Sequence, residues 1–221
     1  MTSDQRKETD DVSGAALPVE DESAAQDAPF ASFLAPRPPA EPPPPPVAEL
    51  AAACVRFVGT RYGVALDFAP ETLSFVDQWL RDARSEVTAR PEAVVLLQAA
   101  AGAYLGEVIR LAFGGKWITG DDHAAWRLRL SSVYCAFNPI GMAREALLLE
   151  PADGWHAHFE LDPGEREDAE ARLAALPPVE DDEYYAPSTR FDVVSILFDA
   201  LRGGMRARGL DDVRFTHEDY E

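Results

Sequence analysis

From Ala93 to Gly106 the chain carries no charge, and half of those residues are Ala or Gly. Glu107 and Arg110 then interrupt the run before Phe113 and Gly114-Gly115 close it. A membrane span needs about 20 predominantly apolar residues, so the interrupted run reads as a soluble helix. A helix apolar nearly all round must be surrounded by the rest of the fold. Pro91-Glu92 suits its start, because proline there forfeits no hydrogen bond and the carboxylate meets the positive helix end. Gly102 and Gly106 lie one turn apart and would let another element approach closely. Glu107 has two readings. It is paired, with Arg110 three residues on and within reach, or it serves as an acid, base or ligand.

The segments around that helix alternate in period. Val47 to Tyr62 reads as a helix with Leu50, Cys54, Phe57 and Val58 on one face, ended by Gly63. A second helix starts near Pro70, with Leu73, Val76, Leu80 and Ala83 at helical spacing. After Gly114-Gly115 the pattern changes. Lys116 to Thr119 reads as a strand and Gly120-Asp121-Asp122 as a turn. Trp126, Leu128 and Leu130 alternate with Arg127 and Arg129, a half-buried strand with a continuation through Tyr134 to Phe137. A helix over Pro139 to Leu149 and a strand over Trp155 to Leu161 follow. Asp162-Pro163-Gly164-Glu165 is a helix start running to Ala175. Pro177 to Tyr185 reads as an acidic loop. The last helix, Thr189 to Arg208, carries Phe191, Val194, Leu197, Phe198, Leu201 and Met205 in one stripe, and Gly203-Gly204 weakens its end. Val213 to Phe215 reads as a short closing strand. Without a regular β-α-β rhythm, the expectation is α+β: a single domain over 47–221 with about six helices and a small antiparallel sheet.

Residues 1–46 differ from the rest. They hold ten of the eighteen prolines and nine acids against three bases. Such a stretch buries too little apolar surface to offset its ordering entropy, so a disordered acidic Pro-rich arm is expected. Within it, Pro42 to Pro46 should form a polyproline II rod, as a spacer or as a ligand for an aromatic groove. Met1 to Glu22 lacks a basic start followed by an apolar stretch, so no signal peptide is expected. The expected location is the cytoplasm, with Cys54 and Cys135 as reduced thiols in apolar contexts. Lys only at positions 7 and 116, and Asn only at 138, point to a GC-rich bacterial genome.

Two stretches resemble signatures of uncharacterised bacterial α+β domains. The first is Leu66-Asp67-Phe68-Ala69-Pro70-Glu71-Thr72-Leu73 followed by Val76-Asp77, with Ala69 where a capping Ser is expected. The second is Gly102-Ala103-Tyr104-Leu105-Gly106-Glu107-Val108-Ile109 followed by Gly114-Gly115-Lys116-Trp117. Together they cover roughly residues 64–140. The resemblance implies an intracellular bacterial α+β domain and carries no activity with it. Some similar small domains look like partner-binding or immunity-type proteins, which is an analogy of fold alone.

The net charge of −19 argues against nucleic acid or an anionic membrane as partner, because phosphate contacts need clustered Lys and Arg. No P-loop, G-x-S-x-G or H-E-x-x-H fingerprint occurs. Residues 151–221 hold eighteen acids and seven bases, −11 in all. Glu180-Asp181-Asp182-Glu183 before Tyr184-Tyr185 is therefore either a solvated loop or a docking surface for a basic protein. In Trp155 to Leu161, a strand would set His156, His158 and Glu160 on one face, the ligand set of a non-haem iron or catalytic zinc site, with Asp153 and His123 as possible additions. A solvated outer strand face has the same pattern. The sequence reading is thus a non-enzymatic protein acting through an unidentified protein partner, a basic one by charge complementarity, as an adaptor or an immunity-type protein, with no cofactor. The alternative is a metal-dependent enzyme built on His156, His158 and Glu160.

Overall fold

A computed structural model describes residues 41–220. The expected arm lies, up to residue 40, outside the described residues. The proline run does not all continue as a rod. Pro44 is extended (φ −53°, ψ 143°), and Pro45 begins helix α1, Pro45–Tyr62. Proline fits the first helical turn because its preset φ suits a helix and its missing N–H would have no partner there. The helix therefore starts two residues before Val47, which is fully buried.

Pro70–Thr72 forms a single 3-10 turn, and helix α2 follows over Leu73–Ala89. With Ala69 where a capping Ser is expected, the turn has no side-chain cap; Asp67 Oδ1 accepts from the Ala69 N–H at 3.0 Å just ahead of it. Helix α3, Ala93–Phe113, is buried at every position from Gln98 to Arg110. By length and composition it could cross a membrane, yet most of that apolar window is enclosed within this fold. Helices α1, α2 and α4 (Pro139–Leu148) and the sheet pack around it.

The two signature stretches meet. Tyr104 on α3 donates or accepts at Thr72 Oγ1 (2.6 Å), and its hydroxyl accepts from the Phe68 N–H at 2.9 Å. Phe68 has a φ of 65°, a left-handed conformation costly for a side-chain-bearing residue. Its ring stacks on Tyr104 at a centroid distance of 4.8 Å. The resemblance therefore marks a structural junction.

The sheet is an antiparallel meander in the order β1-β2-β3-β4: Gly115–Ile118, Arg127–Leu130, Cys135–Phe137 and Glu160–Leu161. Leu128 pairs with Phe137 and Arg129 with Ala136, so the chain reverses between β2 and β3 and the expected continuous strand is two. The strand expected over Trp155 to Leu161 shrinks to its last two residues. His156 adopts a φ of 51°, which no strand accommodates. No strand forms at Val213 to Phe215. One bond remains, from the Phe215 N–H to the Ser131 carbonyl at 2.8 Å. Helix α5 covers Pro163–Ala174, and the acidic loop contains a short helix α6, Asp181–Tyr184. Helix α7 runs over Pro187–Ala207, straight through Gly203-Gly204. The fold is α+β, with seven α-helices among the described residues.

The tightest contact is between α3 and α4. A Cβ on Gly102 would meet the Ile140 amide nitrogen and the Pro139 carbonyl oxygen, each at 2.7 Å. These are backbone atoms, so no side-chain rotation makes room. Gly102→Ala should therefore force the helices apart and lower stability by about 1–3 kcal/mol in a denaturant melt. An unchanged midpoint would show that α4 does not lie against α3 at this point.

Candidate interaction groove

An open groove of about 850 Å³ lies between α5 and α7. One wall is a single face of α5: Arg166, Ala169, Glu170, Leu173 and Ala174, spaced three and four apart. The other wall is the start of α7: Thr189, Arg190, Asp192, Val193 and Ile196. Ala157, His158, Phe159 and Leu161, residues 176–179 and Tyr184 complete it. Local sequence explains both walls. Asp162 caps α5 by accepting from the Gly164 N–H at 2.8 Å, with Pro163 in the first helical position. Helix α7 sends Val194, Leu197, Leu201 and Met205 into the core, which leaves Val193 and Ile196 on its flank.

The segment from Leu176 to Ala186 is a strap that joins the two walls, with residues 176–179 and Tyr184 in the lining, and named bonds fasten it. Asp182 accepts from Arg81 Nε at 2.8 Å and pairs with Arg84. These arginines hold its carboxyl below the ordinary carboxylate value, Arg84 most of all. Asp77, buried on α2, accepts from the Ser188 N–H at 3.0 Å and from Ser188 Oγ at 2.5 Å, which anchors the start of α7. Burial raises the Asp77 carboxyl despite these bonds. Behind the strap, Arg190 stacks over Tyr184 at 4.3 Å and Tyr185 at 5.3 Å. Its Nη2 donates to Glu145 Oε2 at 2.7 Å, and Glu145 Oε1 accepts from the Ala152 N–H at 3.2 Å. Both partners are buried, and the Arg190 Nε–H has no acceptor among the described residues.

The structure divides the six residues expected to form the docking surface. Glu180, Asp181 and Glu183 are exposed, and their side chains make no hydrogen bond or ion pair among the described residues. Asp182 is spent within the fold. Tyr184 lines the groove at 41% exposure, and Tyr185 is half-buried against Arg190. Two further carboxylates, Glu170 and Asp192, line the groove without an ion-pair partner. Burial against the apolar wall raises Asp192 above the ordinary carboxylate value.

His156, His158 and Glu160 all face solvent, around a separate polar groove of about 430 Å³ that also includes Asp153, Arg127 and Arg166. Among the described residues no three His, Cys, Asp or Glu side chains are placed to hold a metal ion. The positive φ at His156 interrupts the strand on which that alternative rested. His123 lies elsewhere, edge-on to Trp126 at 4.6 Å. Glu107 is buried and fully engaged: Arg110 Nε and Nη2 donate to its two oxygens at 2.8 Å each, and Trp117 Nε1 adds 2.7 Å. The paired reading of Glu107 holds. Burial pushes both Cys54 and Cys135 thiols upward, which suppresses the nucleophilic thiolate.

Sequence reasoning missed the groove walls. The spacing of Ala169, Leu173 and Ala174 is legible in α5, as are Val193 and Ile196 beside the main stripe of α7, but their convergence is not. Comparison with known families, curated proteins and solved structures finds no match for this chain.

The Asp182 clasp makes a pH prediction. Its folded-state pKa is depressed below the ordinary 3.8. Its contribution is therefore present above that value and is lost as pH falls through the folded pKa. Wild type should exceed Asp182→Asn in stability above pH 5 by up to about 1 kcal/mol, since the pair is partly solvated. The gap should close as pH falls below 3.8 and through the depressed folded pKa. A gap constant with pH in thermal melts would show that the arginines do not hold the carboxylate.

Proposed function

We propose that this protein works by protein–protein interaction, as an intracellular adaptor or immunity-type protein, with the α5–α7 face as its docking surface. The observation that carries this reading is an open apolar groove edged by carboxylates that have no counter-ion. A pocket for a small molecule buries most of its ligand's surface, about 70–90%. Here Val179 and Tyr184, at 42% and 41% exposure, stand at the edge of an open trough. Exposed apolar surface rimmed by polar groups is what an interaction site presents. The acidic rim favours a basic protein partner and opposes nucleic acid and anionic lipid. The six residues from Glu180 to Tyr185 contribute unequally. Glu180, Asp181, Glu183 and Tyr184 meet the partner, while Asp182 and Tyr185 hold the strap in place.

A photo-crosslinking side chain at Val193, in the full-length protein expressed in its own cells, tests this. The expected outcome is a discrete crosslinked protein from Val193 that is absent from an equivalent probe at Thr60 on α1. Equal labelling from both positions, or none from either, would remove the reading.

A further inference from the structure

We infer that the groove receives an amphipathic helix of a partner protein, with an aliphatic face and Lys or Arg along its flanks. This rests on the reading of the α5–α7 face as a docking surface and names the chemistry of the occupant.

The walls argue for a helix. The α5 face from Arg166 to Ala174 spans nine residues, a rise of about 12 Å at 1.5 Å per residue. The α7 face from Thr189 to Ile196 is nearly as long. Two helical faces that converge without a third element between them present ridges and grooves for another helix. An extended peptide would need backbone donors and acceptors from the walls. Helices bond their own backbone groups internally and offer none along their sides. The sheet edge is the two-residue strand β4, too short to register a peptide strand. A helix supplies its own hydrogen bonds and asks the groove only for apolar contact, which Leu161, Leu173, Leu176, Val193 and Ile196 provide.

The rim argues for cations. Glu170 stands on one wall and Asp192 on the other, and neither has an ion-pair partner among the described residues. Glu180, Asp181 and Glu183 continue the negative edge along the strap. The basic groups in the lining are Arg166, His158 and Arg190. Arg190 is already neutralised by Glu145 at 2.7 Å. Arg166 and His158 lie together toward β4 and also face the neighbouring polar groove, so the positive end of the groove is confined to that side.

The test uses the full chain and three fluorescent peptides in anisotropy titrations. One is an 18-residue amphipathic Leu/Lys helix, one its Leu/Glu counterpart, and one a Gly/Ser/Lys peptide of the same positive charge without an apolar face. The Leu/Lys helix should bind and the other two should not. Glu170→Gln with Asp192→Asn should weaken binding about tenfold and flatten its salt dependence. Ile196→Glu should abolish it, with the helical circular dichroism of the chain retained. If Ile196→Glu unfolds the chain, the surface pair Glu170→Gln and Asp192→Asn decides. Equal binding of the Gly/Ser/Lys peptide would reduce the effect to net charge and overturn the inference. So would equal binding of the Leu/Glu helix, or indifference to the rim substitutions. A specific crosslink from Val193 without Leu/Lys binding would leave the docking reading standing and overturn the cationic helix.

Discussion

Helix α3 can be enclosed on several sides only because Gly102 and Gly106 have no side chains. At Gly102 the backbone of α4 comes so close that even a methyl group meets main-chain atoms. At Gly106 the Trp117 ring fills the space a Cβ would take, with Pro139 Cγ 3.0 Å from that position. The other elements take their places from this approach. Asn138, which caps α4 by accepting from the Ile140 and Gly141 amides, also donates to the His123 and Ala124 carbonyls. Trp117 in turn brings β1 to Glu107. Arg110 closes the cluster by donating to the Glu41 carbonyl at 2.9 Å, which ties down the residues ahead of α1. A charge inside an apolar helix would be a heavy cost if unpaired. Three donors on one carboxylate make it a junction between helix, sheet and chain entry.

The second buried pair, Glu145 and Arg190, does a different task. Exchanging a buried ion pair for apolar residues is often neutral or stabilising, whereas removing one partner alone strands a buried charge. Such a pair is better understood through what it positions. Glu145 belongs to α4 and Arg190 to α7, so the pair sets the start of α7 against the central layer. The Arg190 guanidinium then provides the platform for Tyr184 and Tyr185. From α2, Arg81 and Arg84 hold Asp182 of the strap, and Asp77 holds Ser188 at the start of α7. The groove wall is thus fixed by several polar contacts from two helices, while its inner surface is left apolar.

Much of the framework was legible because it depends on local rules. Proline at helix starts, Gly63 after α1 and the uncharged stretch of α3 give most helix positions within a few residues. The departures have local physical causes as well. Pro45 and Pro46 satisfy a helical first turn as readily as a rod. The alternation from Trp155 to Leu161 survives in exposure, since His156, His158 and Glu160 face solvent while Ala157 and Leu161 are buried. Alternation alone does not make a strand, and the left-handed His156 breaks the hydrogen-bonded ladder. Gly203-Gly204 did not end α7, because Leu201 and Met205 are buried on either side of it and outweigh the about 1 kcal/mol cost per glycine. The groove was not legible, because it depends on the angle at which residues 175–186 turn α7 back beside α5, which local spacing does not fix. Asp182 shows the same limit. Four consecutive acids look alike in sequence, yet only the one opposite Arg81 and Arg84 becomes structural.

The placement of charge around the groove also bears on why the surface can remain uncovered. An open apolar trough tends to close against its like, since two copies facing each other would bury it. In that arrangement Glu170 and Asp192 of each copy would approach carboxylates of the other, with Glu180, Asp181 and Glu183 close behind. Like charges brought together in a partly desolvated interface oppose association by several kcal/mol. On the proposed reading the unpaired rim would therefore oppose closure of the groove against a second copy. On the proposed reading the same carboxylates would attract cationic groups, so one feature would both disfavour a wrong partner and favour a basic one. Solubility alone would be served by acids on any face, whereas Glu170 and Asp192 stand in the apolar lining itself.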